Sequence, residues 1–305
     1  MSKKILIGPS SYGQASPAPL QLLRDAGYEI VDNPFGRRLT REDMHEHMPG
    51  MVGLIAGLEP LDRDVLEKSD FKACARVGSG MANVDQEAAK ELGIKISNTP
   101  NGPVLAVAEL TVGCLFTMLR QTAIMDRSMR DGKWDKRMGR QMKDLTVSVV
   151  GYGRIGRKTS ELLRALGCNV IAVDPFLSGE QDGGVPVMDL LSALAQSDAV
   201  ALHISGEDEI IGAAEFAAMK NGIYILNGAR GENINYPELF KALDSGKVAG
   251  IWADAHPQEP YEGELLKYEQ ALLTPHIGSY SKEGRIKMEM DAAENLLADL
   301  KAQGV

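Results

Sequence analysis

Residues 147–174 read VSVVGYGRIGRKTSELLRALGCNVIAVD, and few stretches of this length restrict a fold so strongly. An apolar run that suits a buried strand stops at Gly151. Gly151, Gly153 and Gly156 then space out GxGxxG at the opening of a helical pattern, and a second apolar run closes on Asp174. The strand–turn–helix–strand context is what gives such glycines meaning. They permit a tight turn, let a pyrophosphate approach the backbone, and let the helix pack closely on the strand. The helix N-terminus offers free N–H groups and the positive end of its dipole to phosphate. An acid ending the second strand suits the 2′-hydroxyl of an adenosine ribose and repels a 2′-phosphate, so NAD is expected over NADP. Arg157 and Lys158 in the same helix bear on how strict that preference is.

The same alternation runs through the chain. KILIG (4–8), YEIVDN, MVGLIAG, KACARVG and IKISN read as strands with helical patterns between most of them. After a long helical segment from about Pro103 to Asp131, the cycle restarts with TVSVV, CNVIAVD, DAVALHI, GIYILN, VAGIWAD and QALLTP. Buried apolar strands alternating with helices imply parallel sheets covered on both faces. The expected fold is therefore α/β, with two doubly wound parallel-sheet domains. The first covers 1–98 and the second, binding the dinucleotide, covers 99–280. An amphipathic tail helix from about Ser281 is expected to return to the first domain as residues 281–305.

Composition removes several function classes. The net charge of −9, without a run of like charges, argues against a nucleic-acid surface. Three scattered cysteines, Cys74, Cys114 and Cys168, fit neither a disulfide framework nor a zinc site, so no metal is expected. They suit a reducing cytoplasm. The start MSKKILIGPS has too short an apolar stretch for a secretory signal. PVLAVAELTVGCLFTML contains Glu109 and reads as a buried helix, not a membrane span.

Ligands of open parallel sheets bind at the carboxyl ends of the strands. In the second domain, that edge receives the glycine turn, Asp174, His203, the NGARG stretch 227–231, Asp254 and His276. A histidine delivered there, after Pro275 and before Gly278, can exchange a proton near neutral pH. His256 competes with it on spacing alone. Arg230 can grip a carboxylate through two parallel hydrogen bonds. Glu259, taken by itself, reads as a solvated loop acid. His45 and His47, two apart on a helix, make a poor metal pair.

Taken in order, ARVGSGMANVD, AVAELTVG, GYGRIGRKTSELLRALGCNVIAVDP, NGARGENI, WADAHPQEP and LTPHIGS give a pattern that resembles the D-isomer-specific 2-hydroxyacid dehydrogenases. The resemblance implies a Rossmann nucleotide-binding domain and a flavodoxin-like substrate domain, the latter completed by the C-terminal helix. It implies Arg230 as the substrate-orienting residue, His276 as acid/base and Glu259 as its paired carboxylate, which favours His276 over His256. It implies Ser79 and Gly80 as donors to the substrate carboxylate. The expected cofactor set is Gly151, Gly153, Arg154, Ile155, Gly156, Asp174, His203, Ala229, Asp254 and Gly278, with Asp254 at the nicotinamide end. Homodimerisation through the nucleotide domain, partly by the helix near Pro103, is also implied.

Two departures stand out. Many members carry HxPLTxET after the strand that here ends at His203, whereas this chain has the shorter HISGEDEIIG. Phosphoglycerate-type members often have Arg-Ser after the third strand of the substrate domain, where AGLEPL places Leu58 and Glu59. A glutamate there would repel a phosphate. No C-terminal regulatory domain is expected. The resulting expectation is reversible hydride transfer between NADH and a small 2-keto acid, 3-phosphoglycerate or a related glycerate-type acid being the hydroxy partner. Its rival is an NAD(H)-sensing binding protein of the corepressor type, which the same Arg/Glu/His set would also suit.

Overall fold

The computed structural model describes residues 3–305 and divides into two compact units, Met1–Pro103 with Ser279–Val305, and Val104–Gly278. These junctions fall at Pro103/Val104 and Gly278/Ser279, not at the 98/99 and 280/281 expected from the sequence.

Unit 1 alternates β1 (Lys4–Ile7), α1 (Ala18–Asp25), β2 (Glu29–Val31), α2 (Arg41–His47), β3 (Met51–Ala56), α3 (Arg63–Glu67), β4 (Ala73–Arg76), α4 (Gln86–Glu91) and β5 (Lys95–Asn98). Side-chain oxygens of Thr40, Asp62 and Asp85 accept N–H bonds at the starts of α2, α3 and α4, satisfying donors that a helix leaves open. The strands pair in parallel in the order β2-β1-β3-β4-β5. His45 pairs with Asp64, and His47 packs on Phe35.

The last helix, started by the Ser281 cap, lies in this unit over Lys282–Ala302 and is numbered α11 below. Its Met288, Ala292, Ala293, Leu296 and Leu300 are buried with Ile5, Ile7 and Ile55 of the sheet. Gly53 of β3 leaves the room: an added Cβ would lie 3.2 Å from Leu300 and 3.3 Å from Leu296. Replacing Leu296 by Ala should cost about 2–5 kcal/mol, transfer and cavity terms together. Urea unfolding of the variant would show a lower midpoint with little change in slope.

Unit 2 contains α5 (Pro103–Leu119), α6 (Thr122–Arg130), β6 (Thr146–Val150), α7 (Arg154–Ala165), β7 (Asn169–Val173), a small antiparallel pair β8 (Glu180–Gln181) and β9 (Val185–Pro186), α8 (Leu190–Gln196), β10 (Ala199–Leu202), α9 (Ala213–Ala218), β11 (Ile223–Asn227), α10 (Tyr236–Asp244), β12 (Val248–Ala253) and β13 (Ala271–Leu273). Its main sheet is parallel, in the order β13-β12-β11-β10-β6-β7, so the strand order reverses between β6 and β10.

One expectation needs correction. The helical segment from Pro103 to Asp131 is not continuous: Gln121 takes a left-handed φ of 51° and α5 and α6 meet at a 62° bend. A left-handed residue cannot continue a right-handed ladder, and nothing in the apolar periodicity reveals it. Val112, Leu115, Met118 and Leu119 of α5 enter the unit 2 core beside Trp252. No single described helix is long and apolar enough to cross a membrane; α5 and α6 pass that test only as a bent pair.

Candidate active site

The glycine turn joins β6 to α7 in the geometry a dinucleotide requires. Gly151 has φ 87°, and a Cβ there would lie 2.7 Å from the His203 backbone. Around Gly153 the space is open, and Gly153 caps α7 without any side-chain hydrogen bond. The first-turn N–H groups that carry Arg154, Ile155 and Gly156 are thus left to an anion. Asp174 follows β7 and accepts the Tyr152 N–H and the Phe176 N–H, each at 3.0 Å, which ties it to the glycine turn. Arg157 is held by Asp182 at 2.6 Å and lies over the Tyr152 ring, while Lys158 pairs with Glu161.

His203 follows β10, across the point where the strand order reverses. Its Nε2 lies 3.0 Å from Thr159 Oγ1, and its Cε1 would be 3.5 Å from a Cβ on Gly228. Burial depresses its pKa to about 4, so the ring is neutral at pH 7. Its unfolded value is near 6.5, so stability from the neutral ring is complete above about pH 6.5 and lost as pH falls towards 4. The expected loss is about 3 kcal/mol at most. Thermal unfolding of wild type and His203→Gln across that window should show a shallower decline in the variant.

The Arg230 loop follows β11. Asn227 donates its side-chain amide to the Arg230 carbonyl at 2.8 Å, and Asn233 accepts the Arg230 N–H at 2.9 Å. Ala229 is buried, its N–H on Asn227 Oδ1, and its carbonyl accepts Arg230 Nη1 at 2.8 Å. The loop backbone is therefore clasped from both sides.

Beyond β13, the chain turns sharply at His276, which has φ 53°. That conformation is uncommon for a residue with a side chain and persists only where its surroundings impose it. Asp254 imposes it here. The Asp254 carboxylate, nearly buried, accepts the Ile277 N–H at 2.9 Å, the Gly278 N–H at 2.7 Å and the Thr274 hydroxyl at 2.6 Å. Trp252 Nε1 donates to Thr274 Oγ1 at 2.9 Å, and the His276 N–H reaches the Asp254 carbonyl at 2.8 Å. The left-handed residue is His276, and Gly278 makes room for close approach of Asp254 Oδ2 and Val107.

The ring that this turn presents has one nitrogen engaged. His276 Nδ1 lies 3.0 Å from both oxygens of Glu259. A carboxylate only accepts, so Nδ1 carries the proton and Nε2 is the exchangeable site. Partial burial pushes the Glu259 carboxyl up, but the His276 bond and the His256 N–H outweigh it and hold it below the ordinary range. His256 is turned elsewhere: its Nε2 reaches the Thr274 carbonyl at 3.2 Å, and its ring stacks on Tyr261. Glu259, His276, Arg230 and the glycine turn all lie on unit 2, whereas Ser79 and Gly80 follow β4 of unit 1, with the Ser79 carbonyl held by Asn98 at 2.9 Å. Asn227, Asn233, Thr274 and Trp252 escaped the sequence reading. The asparagines at either end of NGARGEN were the available sign, since asparagine side chains commonly bond backbone nearby.

Residues 112–278 match the family model for the NAD binding domain of D-isomer specific 2-hydroxyacid dehydrogenases. The chain belongs to that family. Within it, the chain is 31% identical over 273 residues to a hydroxypyruvate reductase of Thermotoga maritima, covering 86% of this chain and 89% of that protein. A D-3-phosphoglycerate dehydrogenase of Archaeoglobus fulgidus is 31% identical over 270 residues, or 85% of this chain but 51% of that relative. The chain thus spans about half the length of such relatives. The solved glyoxylate reductase from Paecilomyes thermophila superposes with a TM-score of 0.85 at 30% identity, over 97% of this chain and 95% of that one. The 2-hydroxyacid dehydrogenase chain accordingly carries an NAD-binding domain, and its uncapped α7 and open Gly153 are compatible with the cofactor's pyrophosphate.

Proposed function

We propose that this chain is an NAD-dependent oxidoreductase that interconverts a small 2-keto acid and a D-2-hydroxy acid of glycerate type. The observation that carries the reading is the Glu259–His276 pair, which fixes one nitrogen and leaves the other to exchange a proton. Arg230 grips the substrate carboxylate and polarises the keto group. His276 Nε2–H donates its proton to the keto oxygen as the alkoxide forms, and Glu259 stabilises the imidazolium that precedes the transfer. When bound, the nicotinamide supplies or accepts the hydride. Asp174 at the ribose end supports NAD over NADP. Three buried free cysteines support a cytoplasmic setting.

Hydroxypyruvate, 3-phosphohydroxypyruvate, glyoxylate and pyruvate, each assayed with NADH, test the reading. Steady NADH consumption with at least one is expected. Tight NADH binding without turnover on any 2-keto acid would instead indicate a sensor of the corepressor type.

We assign a homodimer as the working form. Trp134 and Met138, four residues apart, are 75% and 94% exposed on a stretch of unit 2 without regular structure, and such side chains would gain from burial against a second copy. Light scattering after gel filtration should give about twice the chain mass, and Trp134→Asp with Met138→Asp should shift it towards the monomer.

A further inference from the structure

His256 has no part in the reaction proposed above, yet it holds both ends of the proton-transfer pair. Its backbone N–H donates to Glu259 Oε1 at 3.2 Å. Its ring reaches the other way, with Nε2 standing 3.2 Å from the Thr274 carbonyl. That same carbonyl accepts the His276 N–H at 3.0 Å, so the end of the strand and the left-handed turn share one acceptor. A carbonyl only accepts, so Nε2 of His256 carries the proton.

The bulk of this ring and its polarity have separate uses. As a flat body it stacks on Tyr261, centroids 4.6 Å apart. Tyr261 in turn rests on Tyr236 at 6.3 Å, and its hydroxyl accepts the Leu265 N–H at 3.2 Å. The backbone of the loop is wedged beside the residue that follows Arg230: a Cβ on Gly231 would lie 2.4 Å from the His256 carbonyl carbon and 2.2 Å from the Pro257 nitrogen. A phenyl ring would serve the stack equally well. An imidazole instead buries Nδ1, which finds no hydrogen-bond partner among the described residues, and a buried unpaired acceptor is unfavourable. What the imidazole adds over a phenyl ring is the Nε2–H on the Thr274 carbonyl.

We infer that His256 is a positioning residue for the proton transfer: from one loop position it fixes the Glu259 carboxylate through its backbone and the His276 turn through its ring, and so keeps the pair in register. It acts through His276 and Glu259, not on the substrate. Without the Nε2–H, the end of β13 loses its tie to residue 256, and the imidazole can tilt against its carboxylate. A displacement of about 1 Å in a reacting group costs about a hundredfold in rate. The inference rests on the dehydrogenase reading above.

The test compares wild type with His256→Phe, which keeps the stack, and with His256→Gln, whose amide N–H can stand where the imidazole Nε2–H does. With NADH and the 2-keto acid that wild type reduces fastest, His256→Phe should lose about 10–100-fold in kcat, while KM for the acid and NADH affinity stay within about twofold. Its solvent deuterium isotope effect on kcat should rise, because proton transfer becomes the slower step, and its thermal midpoint should not fall. His256→Gln should recover most of the lost kcat although it gives up the stack. Turnover of His256→Phe at the wild-type rate, or a His256→Gln variant no faster than His256→Phe, overturns the inference. If His256→Phe fails to fold, His256→Asn replaces it, since its amide stops short of the Thr274 carbonyl, and the same contrast with His256→Gln decides. The NMR shifts of the His276 ring nitrogens read the geometry without turnover. In the neutral ring, wild type should show one tautomer, with the proton on Nδ1, and His256→Phe a mixture. A mixture in that variant, when wild type reduces no 2-keto acid, sinks the dehydrogenase reading and leaves the positioning standing. An unchanged single tautomer overturns the positioning.

Discussion

His276→Ala should lower kcat by about 10²–10⁴ while NADH still binds, because a general acid contributes about that factor and the glycine turn is untouched. The pair around it makes a graded result possible. Glu259→Gln keeps the shape and an acceptor for Nδ1–H but removes the charge that favours imidazolium. It should reduce keto-acid reduction more than alcohol oxidation. Reduction takes a proton from the enzyme and oxidation returns one. Raising the pH should therefore weaken reduction and strengthen oxidation, and Glu259, its carboxyl held below the ordinary carboxylate range, stays ionised throughout. Stopped-flow NADH fluorescence separates binding from turnover in each variant. Turnover of His276→Ala at the wild-type rate would remove the residue from the reaction.

Arg230→Gln should lower kcat/KM by about 10²–10³, the cost of losing a donor aimed at developing charge in a transition state. Arg230→Lys is the sharper experiment. It preserves the charge and loses the planar fork, so a bidentate grip predicts that lysine recovers only a small part of the loss. The loop itself should survive, since Asn227 and Asn233 hold its backbone and the side chain contributes one bond to the Ala229 carbonyl. A full recovery by lysine would mean that charge alone is used. Initial rates over a range of keto-acid concentration, for all three proteins, distinguish the cases.

What could be read from the sequence was whatever repeats locally. Strand–helix alternation, the glycine turn with its acid, and the tail helix behind Ser281 are set by neighbours in the chain, and the two parallel sheets followed from them. The polar edge of unit 2 was visible because each strand ends where its apolar run ends. The choice between His256 and His276 was not open to spacing and came only with the family resemblance. It depends on ring direction, which Thr274 and Glu259 decide from 18 and 17 residues away. The break at Gln121 and the turn at His276 were hidden for a related reason: both are left-handed positions occupied by residues that do not announce them. Glu59 was visible as a letter, while its burial against two glycines was not.

The seating of α11 in unit 1 carries a consequence for how the molecule is made. The strands of unit 1 leave the ribosome well before Leu296 and Leu300, the hydrophobic partners that α11 supplies. Unit 2, assembled from one uninterrupted stretch, can close during translation. Those strands must wait, incompletely covered, until α11 arrives, which makes that interval one in which nascent chains need a chaperone.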